Sequence, residues 1–206
     1  MRIKVCGIRR LEDALLAAEL GADALGFVFW PGSPRAVSAA HGREITRRLP
    51  PFIVPVGVFV DQARDEVLDT ANRAGVAVIQ LHGEEDASSY AGCPLPVIKA
   101  LPVGPGFTMA AVDGVPPEMT VLLDAHDPVR RGGTGRRIEW TVAAAAAARR
   151  RVILSGGLTA ATVQEAIRTV QPYAVDVSSG VESAPGVKDE TRLRAFFASL
   201  HSAGVL

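Results

Sequence analysis

The feature that most constrains the fold is a regular alternation, repeated eight times, of short apolar runs with longer helix-forming stretches. The runs are rich in Val and Ile and lack a clean apolar–polar alternation, as expected for strands buried on both faces of a parallel sheet. The predicted strands span 3–6, 24–29, 53–60, 76–81, 97–101, 120–124, 151–154 and 173–178. The predicted helices span 11–20, 37–49, 62–74, 140–149, 159–170 and 190–199, with weaker candidates at 84–91 and 107–112.

Eight such units, each of roughly 25 residues, are compatible with an open doubly wound sheet or with a closed eightfold barrel. A doubly wound sheet that binds a dinucleotide carries a glycine-rich turn after its first strand. Here Gly7 is the only glycine in the turn 6–10, which argues against dinucleotide binding. The length of 206 residues lies near the lower limit for an eightfold barrel. We therefore predict an α/β fold, a minimal (β/α)8 TIM barrel, with residues 1–206 forming a single domain.

Charge and composition exclude several classes of protein. Lys+Arg and Asp+Glu both total 22, so there is no basic excess to neutralise a nucleic acid backbone. The apolar stretches are far shorter than the ~20 residues of a membrane span, and residues 1–7 lack the apolar core of a secretory signal. Cys6 and Cys93 are too few for a disulfide framework. We expect a soluble cytoplasmic protein without a nucleic acid or membrane partner.

Small polar residues follow the last two predicted strands. Gly156 and Gly157 come after strand seven, and Ser178, Ser179 and Gly180 come after strand eight. In barrels these two loops commonly bind phosphate through backbone N–H groups at the start of the next helix. Either loop alone is explained as well by a tight turn or a helix cap. Because both loops occupy the appropriate units, we predict a phosphate site.

A thiol and a carboxyl group close two strands that are nearly opposite in an eightfold ring. Cys6 ends strand one and Asp124 ends strand six. A free cysteine is often a small core residue and an aspartate can cap a turn, but together they can act as base and acid in a proton-shuttling isomerase. Lys4 shares a face with Cys6, and we predict that it pairs with Asp176 on the neighbouring last strand. The sequence leaves open whether that pair is structural or tunes the thiol.

Two loops carry further candidates. Arg35 follows two prolines in the loop 31–35, which hold its guanidinium in a position to bind a substrate carboxylate. An exposed surface arginine is the alternative interpretation. Gly133, Thr134 and Gly135 lie in the glycine-rich loop 131–136, which is either a lid or a simple connector.

Polar residues also end the fourth predicted strand. Gln80 and His82 are expected to line the wall of a substrate site. Neither His82 nor His126 has a partner histidine or carboxylate at the sequence spacing of metal ligands. We therefore expect no metal site.

Ten separated blocks of sequence cover nearly the whole chain. They are KVCGI (4–8), GADALGFVF (21–29), SPR (33–35), VGVFV (56–60), QLHG (80–83), LLD (122–124), GGTG (132–135), SGGL (155–158), DVSSGVE (176–182) and PGVKD (185–189). Any one block is weak support, but the ordered set resembles the phosphoribosylanthranilate isomerase family of tryptophan biosynthesis.

The resemblance implies a minimal barrel without a metal or an organic cofactor. The implied reaction is the Amadori rearrangement of N-(5-phosphoribosyl)anthranilate to 1-(2-carboxyphenylamino)-1-deoxyribulose 5-phosphate. By analogy Asp124 is the general acid, Cys6 is the general base, Arg35 binds the anthranilate carboxylate and the last two loops bind the phosphate. The expected partner is thus a small sugar phosphate, and the chain is expected to be a monomer or a homodimer.

Two other functions fit much of the pattern. One is the sugar-phosphate isomerase of histidine biosynthesis, or a dual-substrate relative, which uses an aspartate where this chain has Cys6. The other is a barrel that binds phosphate without catalysis, which the presence of both Cys6 and Asp124 disfavours. A metal-dependent pentose-phosphate epimerase is disfavoured because the histidine ligands are missing.

Overall fold

The computed structural model describes residues 1–125 and 139–202. Within them, eight parallel strands close into a barrel in chain order. The strands are β1 (Arg2–Cys6), β2 (Ala24–Val28), β3 (Val54–Phe59), β4 (Val78–Leu81), β5 (Val97–Val103), β6 (Thr120–Ala125), β7 (Val152–Leu154) and β8 (Ala174–Val177). The α-helices are α1 (Leu11–Leu20), α2 (Ala39–Thr46), α3 (Arg64–Ala74), α4 (Met109–Asp113), α5 (Trp140–Ala147), α6 (Val163–Val170) and α7 (Glu190–Ser202). The predicted fold class is confirmed.

Apolar side chains from the strands fill two separate regions. Outward-facing residues such as Val5, Leu25 and Phe27 pack with the helices in one large cluster. Inward-facing residues form a smaller cluster in the barrel interior that includes Val56 and Leu122. This filling of both faces explains why the strand sequences are apolar without alternation. The barrel centre is therefore packed up to the layer that carries Lys4 and Asp176.

The barrel closes where the first strand pairs with the last. In the parallel register of β1 and β8, Lys4 lies opposite Asp176, and on its other edge β1 places Cys6 opposite Gly26 of β2. A glycine ends the helix that precedes β2: Gly21 adopts a left-handed conformation, and its backbone N–H donates to the carbonyl oxygens of Ala17 and Ala18 in the last turn of α1. The chain therefore turns sharply into β2 and brings Gly26 beside the thiol.

The structure differs from the sequence prediction after β7. Helix α6 begins at Val163 and not at 159, because Thr159 and Thr162 form a turn in which the Thr162 hydroxyl accepts a hydrogen bond from the Thr159 N–H at 3.0 Å. The predicted start of this helix at 159 is thus wrong. After β8 the chain forms a single 3-10 turn, Ser179–Val181, again without an α-helix at that point. The phosphate prediction must therefore rest on the loops themselves.

A short antiparallel hairpin between β8 and α7 was not predicted. It consists of β9 (Glu182–Ala184) and β10 (Val187–Lys188), with Glu182 paired to Lys188. The weaker helix candidate at 84–91 is a 3-10 turn over Ala87–Tyr90. The hairpin matters for the site because it turns the side chains of Glu182 and Lys188 into the protein interior.

Candidate active site

A cavity opens at the carboxyl ends of the strands, with about 700 Å³ of space including its mouth. Most of the predicted site residues line it, and the remaining supporting residue, Lys4, lies buried on β1. Gly133, Thr134 and Gly135 of the predicted lid, and also His126, lie outside the described residues. The predicted residues that line the cavity are Cys6, Arg35, Gln80, His82, Asp124, Gly156, Gly157, Asp176, Ser178, Ser179 and Gly180.

The Cys6 side chain faces the cavity at the end of β1. A methyl group built on Gly26 would lie 2.7 Å from the Cys6 sulfur and 3.2 Å from the Lys4 nitrogen. The missing side chain at Gly26 therefore leaves the space in which thiol and ammonium meet. Burial raises the pKa of the Cys6 thiol above its ordinary value, and the Lys4 ammonium opposes that shift. Lys4 is thus the main group that favours the thiolate, and Lys188 acts in the same direction.

Lys4 and Asp176 form a buried ion pair, as predicted. Lys4 Nζ donates to Asp176 Oδ1 at 2.9 Å, and both side chains are about 5% exposed or less. Burial alone would lower the pKa of Lys4, but Asp176 and Cys6 together raise it above its ordinary value. The lysine therefore stays charged beside the thiol. The Ser155 hydroxyl also donates to Asp176, at 3.4 Å.

Asp124 is held from two sides at the end of β6. Its Oδ1 accepts the Ala125 N–H at 2.9 Å, and its Oδ2 lies 3.3 Å from His82 Nε2. Gln80 Nε2 donates to His82 Nδ1 at 2.9 Å, so the neutral imidazole carries its proton on Nε2, facing Asp124. Sequence spacing gave no hint of this contact between a histidine after β4 and a carboxylate on β6.

Gln80 also presents an unused acceptor. The residue is almost fully buried and lines the cavity, and its Oε1 has no hydrogen-bond partner within the described part of the chain. Buried polar atoms are normally paired, so an orphan acceptor at a cavity wall indicates a ligand donor. A hydroxyl group of a bound sugar would satisfy it.

The loops after β7 and β8 form the opposite part of the cavity. Gly156 and Gly157 have φ angles of 86° and 65°, a region that favours glycine. Among the described residues, the N–H groups of Gly156, Gly157 and Gly180 have no hydrogen-bond acceptor. Consecutive free N–H groups in a glycine turn form an anion-binding concavity. This arrangement favours a phosphate, without the helix ends that were expected to support it.

The same two loops touch at Gly180. A methyl group built on Gly180 would collide with the carbonyl oxygen of Leu158 in the neighbouring loop. Glycine is therefore required here for close approach of the two loops. On the other side, a methyl group on Gly156 would lie 3.2 Å from Asp124 Oδ1, so the β7 loop packs directly against the predicted acid.

Arg35 reaches the cavity across the end of β1 and is paired with a residue that was not predicted. Its Nε and Nη2 donate to the two Glu182 oxygens at 3.0 and 2.6 Å, while its Nη1 makes no hydrogen bond to the described residues. Lys188 Nζ donates to the same carboxylate at 2.8 Å. We call these three residues the Arg35–Glu182–Lys188 cluster.

The pKa of Glu182 reflects this double pairing. Burial alone would raise it, but the hydrogen bond from Arg35 and the nearby Lys188 ammonium hold it below its ordinary value. Glu182 is therefore a carboxylate. Lys188 also donates to the backbone oxygens of Cys6 and Ser178, so the cluster is tied to the ends of β1 and β8.

An apolar wall lies at the ends of β2 and β3, in the same cavity as Arg35. Val28, Trp30, Val58 and Val60 line the cavity there, and Val28 and Val58 pack against Cys6. An aromatic ring that bears a carboxylate would match this wall and the neighbouring guanidinium.

One feature of the sequence points to Lys188, a site residue that the sequence analysis missed. The chain has only three lysines, Lys4, Lys99 and Lys188, among 22 basic residues. All three are buried and paired with carboxylates, Lys99 with Glu85 at 2.9 Å. In a chain that otherwise uses arginine, a lysine marks a place where a compact charge is needed, since the arginine fork is larger and planar.

Neither a metal cluster nor a membrane helix is found in residues 1–125 and 139–202. No group of three or more His, Cys, Asp or Glu side chains there has metal-binding geometry. No helix in these ranges is long and apolar enough to cross a bilayer.

Comparison with known proteins gives a consistent result. A family model described as N-(5'-phosphoribosyl)anthranilate (PRA) isomerase matches residues 3–199. A relative named N-(5'-phosphoribosyl)anthranilate isomerase, from Pelobacter propionicus, is 48% identical over 196 residues, which cover 95% of this chain and 93% of that protein.

Solved structures agree in both fold and length. A phosphoribosyl anthranilate isomerase from Thermus thermophilus is 45% identical with a TM-score of 0.90, covering 98% of this chain and 99% of its own. Another, at 40% identity and a TM-score of 0.86 with the same coverage, was solved in complex with reduced 1-(o-carboxyphenylamino)-1-deoxyribulose 5-phosphate.

Proposed function

This chain belongs to the N-(5'-phosphoribosyl)anthranilate isomerase family, and from that premise we propose that Cys6 and Asp124 perform its acid–base chemistry. The enzyme is an isomerase of tryptophan biosynthesis with a TIM barrel fold. The proposed reaction converts N-(5-phosphoribosyl)anthranilate to 1-(2-carboxyphenylamino)-1-deoxyribulose 5-phosphate by an Amadori rearrangement.

The cavity supports one orientation of this substrate. Its phosphate accepts hydrogen bonds from the free N–H groups of the loops after β7 and β8. Its anthranilate ring lies against Trp30 and the valines beside it. The ring carboxylate binds Arg35 through Nη1, the nitrogen that Glu182 leaves unused. The ribose then lies between Cys6 and Asp124, within reach of Gln80 Oε1.

Asp124 begins the reaction as the general acid. It donates a proton to the ribose ring oxygen while the bond from that oxygen to C1 breaks, and the anilino nitrogen forms an iminium with C1. The Asp124 carboxylate produced by this step is stabilised by the Ala125 N–H and by the proton on His82 Nε2. Both groups are in place before the reaction starts.

Cys6 continues the reaction as the general base. Its thiolate removes the proton from C2, and the C–H electrons form a C1–C2 double bond while the iminium electrons return to nitrogen. The resulting enolamine loses its enol proton and gains a proton at C1, which gives the ketone. The protons balance, as an isomerisation requires. The Lys4 ammonium beside the sulfur supplies the charge that favours the thiolate.

The observation that carries this proposal is that Cys6 and Asp124, on strands far apart in the ring, line one cavity with the two glycine–serine loops. The alternative of a histidine-pathway isomerase, or of a dual-substrate relative, is disfavoured by Cys6 in place of aspartate and by the pairing of an apolar wall with Arg35. A non-catalytic phosphate-binding barrel would not need an acid held by two donors.

The test is turnover by the purified full-length chain. We expect it to convert N-(5-phosphoribosyl)anthranilate, followed by loss of substrate fluorescence, without added metal or cofactor. Turnover of the histidine-pathway substrate instead would support the alternative isomerase. Phosphate binding without turnover of either substrate would support the non-catalytic barrel.

Three further expectations belong to this proposal. The partner is a small sugar phosphate, and the 206 residues act as one barrel domain in the cytoplasm. The chain functions as a monomer or a homodimer; a solved relative from Thermotoga maritima is described as dimeric. Analytical ultracentrifugation distinguishes the two states.

A further inference from the structure

The buried Arg35–Glu182–Lys188 cluster contains more positive than negative charges. Glu182 and Lys188 side chains are 4% and 1% exposed, and Arg35 is 12% exposed. Two cations surround one carboxylate, so the cluster carries one net positive charge at the edge of the cavity. Buried charges are normally compensated, so this excess favours an anion beside Arg35.

The protonation states follow from the hydrogen bonds. Lys188 Nζ has three acceptors, the Cys6 oxygen, the Ser178 oxygen and Glu182 Oε1, which use all three N–H bonds of an ammonium. Glu182 receives donors on both oxygens, including the Gly186 N–H at 3.2 Å. Burial lowers the pKa of Lys188 below its ordinary value and Glu182 opposes that shift, while the three acceptors around Nζ match the ammonium form.

The roles of the two partners differ. Glu182 fixes the direction of the Arg35 guanidinium by binding Nε and Nη2, so that Nη1 remains for a ligand. By itself the same carboxylate would cancel the charge of Arg35 and weaken its attraction for an anion. Lys188 offsets the charge of Glu182 and restores that attraction without touching the ligand.

We propose that Glu182 and Lys188 are specificity-determining positioning residues, which make Arg35 select an aromatic carboxylate over the matching neutral carboxamide. This inference rests on the proposed function, and it identifies the residues that set the ligand preference at the anthranilate end of the site. Lys188 acts through the net charge of the cluster, and Glu182 acts through the orientation of Arg35.

The experiment compares two ligands that differ in one group. They are reduced 1-(o-carboxyphenylamino)-1-deoxyribulose 5-phosphate and its o-carboxamide counterpart, with dissociation constants measured by calorimetry. The wild type should prefer the carboxylate. Lys188→Met, with a neutral cluster, should bind the carboxylate on the order of tenfold more weakly and the carboxamide about as before, because one charge is lost at a partly buried site.

The double variant Glu182→Gln/Lys188→Met supplies the decisive comparison. Its cluster again carries one positive charge, so the preference for the carboxylate should return, although two side chains have been changed. A purely structural role predicts the opposite, because a second loss inside the cluster would weaken both ligands further. Circular dichroism and thermal melting confirm that each variant is folded.

Two results would overturn the inference. One is equal weakening of both ligands by Lys188→Met, and the other is a double variant with no recovered preference. Either result leaves the proposed function standing if the wild type converts N-(5-phosphoribosyl)anthranilate. A wild type that neither binds the carboxylate ligand nor converts N-(5-phosphoribosyl)anthranilate would instead overturn the proposed function.

Discussion

His82 Nε2 lies 3.3 Å from Asp124 Oδ2, and Gln80 binds the other ring nitrogen of the same histidine at 2.9 Å. The histidine follows β4 and the aspartate is on β6, so the barrel brings together groups 42 residues apart. If Asp124 is the general acid, as we propose, a proton on Nε2 stabilises the carboxylate that proton transfer produces and adds little before that transfer. The contact then favours release of the proton from Asp124.

We expect His82→Phe to lower kcat by roughly 10- to 100-fold, because a hydrogen bond to a charged group contributes about 1.5–3 kcal/mol. KM should change much less, since the contact is made to Asp124 and not to the phosphate loops. Steady-state fluorescence kinetics provide the measurement. His201→Phe, at an exposed position near the end of α7, is the matched control, and an unchanged kcat in His82→Phe would remove the assigned role.

Cys6→Ser and Asp124→Asn should each reduce kcat by at least ~100-fold, the scale of general acid–base catalysis. Serine is too weak a base for the C2 proton, and asparagine has no proton to donate to the ring oxygen. Single-turnover and steady-state assays report the loss. Cys93→Ser, at the other cysteine, should retain normal turnover. Near-normal rates in both site variants would contradict the proposed roles.

The pH dependence of kcat/KM should reveal the thiol. Burial raises the pKa of Cys6 and Lys4 lowers it, and the thiolate is the basic form, so activity rises with pH through this pKa. Lys4→Met removes the ammonium and leaves the Asp176 carboxylate, and both changes favour the neutral thiol. The rising limb of the profile should therefore move to higher pH.

Lys99→Met is the control for Lys4→Met, because Lys99 is also buried and paired with a carboxylate but does not contact Cys6. The pH dependence of iodoacetamide labelling in a Cys93→Ser background gives a second readout of the Cys6 thiol. If Lys4→Met and Lys99→Met show the same pH profile, Lys4 has no tuning role.

Gly180→Ala should raise the KM for substrate by about tenfold, because an added methyl meets the Leu158 carbonyl and separates the two phosphate loops. Inhibition by inorganic phosphate should weaken in parallel, while the effect on kcat should be smaller. Gly92→Ala is the control for a glycine substitution away from these loops: its φ of 70° strains an alanine there, but a methyl meets no atom within 4 Å, so phosphate inhibition should not change. Unchanged phosphate inhibition would move the phosphate away from these loops.

Arg150 should matter for stability and not for turnover. Its two terminal nitrogens donate to four backbone oxygens, those of Val112, Val115, Pro116 and Met119, at 2.7–2.9 Å. Arg150→Met leaves these acceptors unpaired and should reduce the free energy of unfolding by about 2–4 kcal/mol.

The neighbouring Arg149 provides the comparison for Arg150. Arg149 pairs with Asp113 at the exposed surface, so Arg149→Met should cost less than about 1 kcal/mol. Urea denaturation of both variants measures the difference. Equal stability of the two would show that the four hydrogen bonds of Arg150 contribute little.

The sequence predicted the barrel because each strand must be apolar on both faces, and that requirement is visible residue by residue. It also placed Cys6 and Asp124 at strand ends, where a parallel barrel exposes side chains to its mouth. The Lys4–Asp176 pair was predictable for the same reason, because β1 and β8 become neighbours as soon as the ring is closed.

Other parts of the site depend on geometry that has no sequence period. The contact between His82, after β4, and Asp124, on β6, depends on the tilt of the strands and on side chains long enough to reach past β5. Glu182 and Lys188 meet in a hairpin with a two-residue second strand, too short for a pattern to predict. Helix α6 starts late because a threonine side chain competes for the backbone at 159, a local choice that helix propensity does not resolve.

The Lys4–Asp176 pair spans the junction between β1 and β8, the first and last strands of the ring in chain order. Until β8 docks, Lys4 lacks Asp176, the carboxylate with which it pairs, and Cys6 has no finished pocket around it. A nascent or truncated chain that ends before β8 should thus be catalytically silent, however much of the remaining sheet has formed. Enzyme activity during refolding is consequently a reporter of complete ring closure, and it should appear later than secondary structure does.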